Sequence, residues 1–176
     1  MKIVVEAYFV HILPDRVRWY CQSMEVGAGG SDIQTPDQAV HALVHGCSKD
    51  KDACLQRYLA HSTSWRFEAP DVLVLSYIVC PETQDDDHER QAWQETFLHE
   101  LQLAHSHHPA DTHPPMIEQH HVLSHALRHL AFLTQGSTAD AVISSHFPEP
   151  ARRFLSHVIP ALAGQLMYFS ERCENI

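Results

Sequence analysis

Residues 72–80 read Val-Leu-Val-Leu-Ser-Tyr-Ile-Val-Cys, an apolar run without polar alternation. Nine residues is strand length, and a strand lacking a polar face has to be covered on both sides. The run therefore predicts a central strand, with Val72, Leu73, Val74, Leu75, Tyr77, Ile78 and Val79 in the core. A fold built around it must supply a layer of structure above and below the sheet. The run is also the longest apolar stretch in the chain, far short of the ~20 residues of a membrane span.

Other strand signals cluster early. Residues 3–13 are rich in β-branched and aromatic side chains, and Pro14-Asp15 supplies a turn. Residues 16–26 then alternate, with Val17, Trp19 and Cys21 on one face and Arg16, Arg18 and Tyr20 on the other, completing a β-hairpin. Trp65 to Glu68 predicts a partner for the apolar strand, joined to it at Ala69-Pro70-Asp71. Thr35-Pro36-Asp37 opens a helix running to about Val44 and stopping at Gly46, with an N-cap, a first-turn proline and an acid at the positive dipole end. A second helix is expected from Lys51 to Ala60. After the acidic stretch 81–87 the chain reads as helical: about His88 to His105, Met116 to Gln135, and Pro150 to Ser170, the last interrupted by Pro160. Strands early and long helices late favour an α+β fold in one domain: a small, mainly antiparallel sheet of about four strands covered by helices, with a helical C-terminal half.

The bulk properties narrow the classes of function. A formal net charge of −10 and the lack of any Lys/Arg cluster argue against nucleic-acid binding. Glu6 interrupts any signal-peptide core, and the five scattered cysteines form no CxxC pair, so a soluble, cytoplasmic protein with reduced thiols is expected. Sixteen histidines are unusual for 176 residues; protonating all of them would reverse the sign of the net charge. Mild acidification should therefore alter the electrostatics strongly.

Nine of those histidines fall between 99 and 129. His121, His125 and His129 stand at i, i+4 and i+8 on a predicted helix and drift only about 80° around its axis, forming one stripe opposite Leu123, Ala126, Leu127 and Leu130. Two histidines at i, i+4 can chelate one divalent ion such as zinc, and a third ligand from elsewhere would complete a site; the three of this stripe cannot easily share one ion, because its ends are about 12 Å apart. His41 and His45 form a second such pair on the helix after Pro36. His99-Glu100 lacks the second histidine of a zinc-protease HExxH motif. The alternative for all of these is a solvated polar face in a histidine-rich chain.

A second constellation is His61-Ser62-Thr63-Ser64-Trp65-Arg66. His61, Ser62, Ser64 and Arg66 are the side chains with which such a segment would bind a small anion, a phosphate or a carboxylate. Ordinary turn chemistry at Ser and Thr, and an Arg66 stem lying along Trp65, would explain the same residues without a ligand. Phe132 shares the imidazole side of its helix, which suggests a second contact surface there, and a cleft joining that face to His61 and Arg66 is the expectation that follows. No GxSxG elbow or cysteine nucleophile context is present, and Gly27-Ala28-Gly29-Gly30 lacks the lysine and hydroxyl of a phosphate-binding loop.

The order hairpin, Gly-Gly loop, helix, strands, helix resembles the layout of the Nudix hydrolases, which hold magnesium with a glycine followed by glutamates on a helix. Here the helix from Pro36 to Val44 carries Asp37 and no glutamate, so the resemblance implies loss of that chemistry. Two function classes remain open: a non-enzymatic binding or assembly module, dimeric through its late helices, and a metal-dependent or anion-binding enzyme using the histidine-rich helix.

Overall fold

The structure, a computed structural model, describes residues 1–27, 33, 35–47, 58–81, 92–104, 117–135 and 145–161. Its elements are β1 (Lys2–Ile12), β2 (Arg16–Glu25), α1 (Pro36–Cys47), β3 (Tyr58–Ala69), β4 (Val72–Pro81), β5 (Gln94–Phe97), a 3-10 turn (Leu98–Glu100), α2 (Gln119–Gln135) and α3 (Glu149–His157). The fold is mixed α and β. Its sheet has five strands rather than four, in the order β3-β4-β1-β2-β5. The chain divides into two compact units, 1–12 with 17–95 and 13–16 with 96–176.

In the first unit, the β1–β2 hairpin pairs antiparallel from Val4↔Glu25 to Ile12↔Val17. Its turn is closed by the Leu13 N–H donating to the Arg16 carbonyl at 2.9 Å. β3 and β4 also pair antiparallel. The two hairpins meet through β1 and β4, which run parallel from Lys2↔Val72 to Phe9↔Val79. The central strand is thus β1, and β4 lies one place toward the edge. Within β4 the burial alternates at first: Val74, Ser76, Ile78, Val79 and Cys80 are buried, whereas Val72, Leu73, Leu75 and Tyr77 are only half-buried. The apolar run therefore overstates the core, because one face near the start of β4 is incompletely covered.

Register assigns each face. Val5, Ala7 and Phe9 of β1, Tyr20 of β2 and Val79 of β4 share the face on which α1 packs Ala39, Val40 and Leu43. Phe9 stacks on Tyr20 at 4.7 Å between ring centroids, and Trp93 meets Tyr20 edge-on at 4.6 Å. Tyr20, expected on a polar face with Arg16 and Arg18, is buried because α1 makes that face a second core. The opposite face buries Tyr8, Val10, Val17, Trp19, Val74 and Ile78.

α1 begins as its sequence predicts. The Gln38 N–H donates to Thr35 Oγ1 at 3.2 Å and the Thr35 N–H donates to Gln38 Oε1 at 3.1 Å, a reciprocal cap. The turn leaving β2 needs φ 74° at Gly27, a left-handed value that glycine adopts without Cβ strain.

Two expected helices are corrected. Tyr58 to Ala60, expected to end a helix, begin β3; the remainder of that helix lies outside the described residues. Within 88–105, the described part is β5 and a single 3-10 turn, in which Glu100 Oε2 accepts the Phe97 N–H at 2.7 Å. Both stretches become strand because a sheet edge is there to pair with, and tertiary pairing overrides weak local preference.

In the second unit, α2 is buried nearly all round: Val122, Leu123, Ser124, Ala126, Leu127, Arg128, Leu130 and Ala131 are all enclosed. α3 packs Ala151, Phe154 and Leu155 inward. Gln135 Nε2 donates to the Leu155 carbonyl at 2.9 Å, and Arg128 Nε donates to the Ile159 carbonyl at 2.9 Å. α3 ends at His157, with Val158 extended (φ −78°, ψ 128°). The helix ends before Pro160, in keeping with the steric demand of proline on the preceding backbone, and residues 162–170 of the expected helix lie outside the described residues.

Candidate functional site

The β3 constellation is divided by a bulge. The register shifts between Ser62 and Ser64, so Ser62 pairs with Tyr77 while Ser64 pairs with Ser76 and Arg66 with Val74. His61, Ser64 and Arg66 consequently share one face, and Ser62 goes to the face covered by α1. Thr63 sits in the bulge, buried, with Oγ1 donating to the Ser76 carbonyl at 3.2 Å. Trp65 and Arg66 are neighbours on a strand and point to opposite faces, so the arginine stem does not lie along the indole.

The guanidinium is engaged on three sides. Arg66 Nη2 donates to Glu6 Oε1 at 2.8 Å and Glu68 Oε1 at 2.7 Å, and Nη1 donates to Ser76 Oγ at 3.2 Å. Burial opposes the arginine charge, but the hydrogen bonds and charges of Glu6 and Glu68 outweigh it and hold its pKa above the usual value. Tyr8 donates its hydroxyl proton to Glu6 Oε2 at 3.3 Å, and burial, followed by nearby Cys21 and Glu6, raises the phenol pKa. Two carboxylates against one guanidinium leave this cluster with acidic surplus, which disfavours a free anion.

Burial first, and the charge of Glu6 second, push the Cys21 thiol up to about 12; burial alone pushes Cys80 up to about 12. Both are protonated at neutral pH and poor nucleophiles.

β3 is the edge strand of the described sheet, and its most exposed large side chains are Trp65 and Phe67, at 67% and 57% of their free surface. They meet edge-on at 5.9 Å. Register continues the patch inward: Phe67 pairs with Leu73 and Leu73 with Ile3, while Trp65 pairs with Leu75. Leu73, Leu75 and Ile3 are half-buried. Sequence reading missed this surface, although two aromatics at i, i+2 in a strand segment signal one apolar face.

On α2 the rings of His120 and His121 lie 3.9 Å apart between centroids. His121, His125 and His129 are half-buried between the enclosed positions of the helix. The Glu118 N–H donates to His121 Nδ1 at 3.1 Å, and His120 Nδ1 lies 3.3 Å from Glu118 Oε2. Burial lowers the pKa of His129. Among the described residues no group of three or more His, Cys, Asp and Glu side chains is placed to hold a metal ion. The expected joint cleft combines β3 from the first unit with α2 from the second.

On α1 the two histidines of the second pair are in contact. His41 Nε2 and His45 Nε2 are 2.8 Å apart on the solvent side of the helix, with ring centroids at 3.9 Å.

Fold and site together define an α+β protein with a mixed five-stranded sheet, a satisfied polar cluster on one sheet face and an aromatic edge. No protein-family model matches the chain, and no curated protein or solved structure matches it either. Among the described residues no helix is long and apolar enough to cross a membrane.

Proposed function

We propose that the chain is an assembly module that pairs with a second copy of itself through the β3 edge. The observation that carries this reading is the exposed Trp65–Phe67 pair on an edge strand, continued by Leu73, Leu75 and Ile3. Edge strands are normally shortened, charged or covered, because an apolar edge invites pairing. β3 is twelve residues long and keeps part of that protection in Arg66, Glu68 and two register shifts, but it leaves two aromatics exposed.

The edge is complementary to itself. Antiparallel pairing of two β3 strands about Phe67 sets Arg66 opposite the partner's Glu68, and Glu68 opposite the partner's Arg66, in the reciprocal manner of a two-fold interface. It also brings four large aromatic side chains together, each worth roughly 1.5–3 kcal/mol on full burial. Association costs about 4–15 kcal/mol in lost freedom, so a concentration-dependent dimer follows rather than a permanent one.

Sedimentation of the full chain over a concentration series tests this. The wild type should shift from monomer to dimer, and a Trp65→Ser/Phe67→Ser variant should remain monomeric with an unchanged circular dichroism spectrum. A wild type that stays monomeric at high micromolar concentration, or a variant that still dimerises, overturns the reading.

A further inference from the structure

We infer that His41 and His45 form a two-imidazole clamp for a divalent transition-metal ion that favours square-planar nitrogen coordination, copper(II) foremost. The pair is independent of the dimer edge: it lies on α1, turned away from the sheet that Ala39, Val40 and Leu43 cover. Three features support the assignment. Four-residue spacing on a helix stacks the rings on one side. The two Nε2 atoms lie 2.8 Å apart, so a small rotation of each ring brings the same ring atom of both residues onto one ion. The helix is anchored by its reciprocal cap and by its apolar face, so the pair is positioned before any ion arrives.

Distance also selects among metals. With metal–nitrogen bonds of about 2.0–2.1 Å, two nitrogens in adjacent corners of a square stand about 2.9 Å apart, and two in a tetrahedron about 3.3 Å apart. The observed 2.8 Å, a hydrogen-bond separation, lies nearer the square value than the tetrahedral one. Copper(II) and nickel(II) prefer that geometry, and copper(II) binds nitrogen sites most tightly of the series.

In the neutral pair one ring donates its Nε2–H to the other. Coordination replaces this hydrogen bond: the donating ring carries its proton on Nδ1 instead, both Nε2 lone pairs face the ion, and no net proton is released. Solvent water fills the other coordination positions.

Copper(II) titrated into the full chain tests the assignment, using wild type, His41→Ala, His45→Ala, the double variant and His121→Ala/His125→Ala. Because a chelate needs both rings, either single substitution should weaken the first equivalent about tenfold or more, and the double variant should lose little beyond that. The His121→Ala/His125→Ala variant should match wild type. At one equivalent, electron paramagnetic resonance should report two equatorial imidazole nitrogens in wild type and not in the double variant. Unchanged first-site affinity in the double variant, or a similar loss in the His121→Ala/His125→Ala variant, overturns the clamp.

Discussion

Helices α1 and α2 both carry histidines four residues apart, yet the two helices are enclosed to different extents. α1 buries one stripe, Ala39, Val40 and Leu43, and leaves His41 and His45 outside, where their Nε2 atoms meet. α2 is enclosed over most of its circumference, and even Ser124 and Arg128 are buried. Its imidazoles are wedged between packed positions, and one of them, His121, accepts the backbone N–H of Glu118 at the start of the helix. Spacing decides which side chains share a helix face; packing decides whether that face is free to act. An amphipathic helix can spend its outer face on a ligand, whereas a helix enclosed almost all round spends its polar groups on holding its own fold together.

The contrast predicts its largest effect in the core of α2. Leu127 is fully buried, and Leu127→Ala should destabilise the protein by about 2–5 kcal/mol through lost burial and the cavity left behind. Chemical denaturation monitored by circular dichroism gives the number. A loss under about half a kcal/mol, the range of ordinary surface substitutions, would mean that α2 is no more enclosed than α1 and would break the comparison.

A smaller effect should appear in the pH dependence of stability. Burial lowers the pKa of His129 in the folded protein, so the unfolded chain takes up its proton at higher pH than the folded one does. Stability contributed by the neutral imidazole is complete above the unfolded value of about 6.5 and is lost as pH falls through the folded value. Denaturation midpoints measured from pH 7.5 down to pH 5 should therefore fall less steeply in His129→Gln than in wild type. Parallel slopes would show that His129 titrates alike in the folded and unfolded chain.

Local chemistry made much of the fold legible. The Pro14-Asp15 turn, the cap at Thr35 and the apolar run of β4 each act over a few residues, and each produced the expected element. β3 was harder to read, because Tyr58 to Ser64 mixes hydroxyls and a histidine with a bulge, and an edge strand needs no alternating pattern to pair. The parallel β1–β4 match joins residues seventy positions apart and has no local signature. The same limit applies to the polar cluster: Arg66 stood out in its segment, but its partner Glu6 lies sixty residues upstream. A lone carboxylate inside the apolar β1 was the available sign that a cation waits across the sheet. The histidine stripe of α2 was visible and its partial burial was not, since periodicity records one apolar face and says nothing of how far the other is covered.

The smallest expected effect lies on α1 and is the most discriminating. His41 and His45 touch one another on the solvent side of the helix, and alanine is the better helix former by a few tenths of a kcal/mol per residue. A hydrogen bond between exposed groups replaces bonds to water and contributes little net stability. Without added metal, His41→Ala/His45→Ala should therefore change the unfolding free energy by no more than about half a kcal/mol, of either sign. With copper(II) in excess, the wild type should gain stability that the variant does not, since an ion held by the folded pair is not held as well by the unfolded chain. Equal gains in both proteins would place the stabilising copper away from α1. A large loss without metal would mean that the pair is structural, and the distinction between a helix face held in reserve and one consumed by packing would fail at its clearest point.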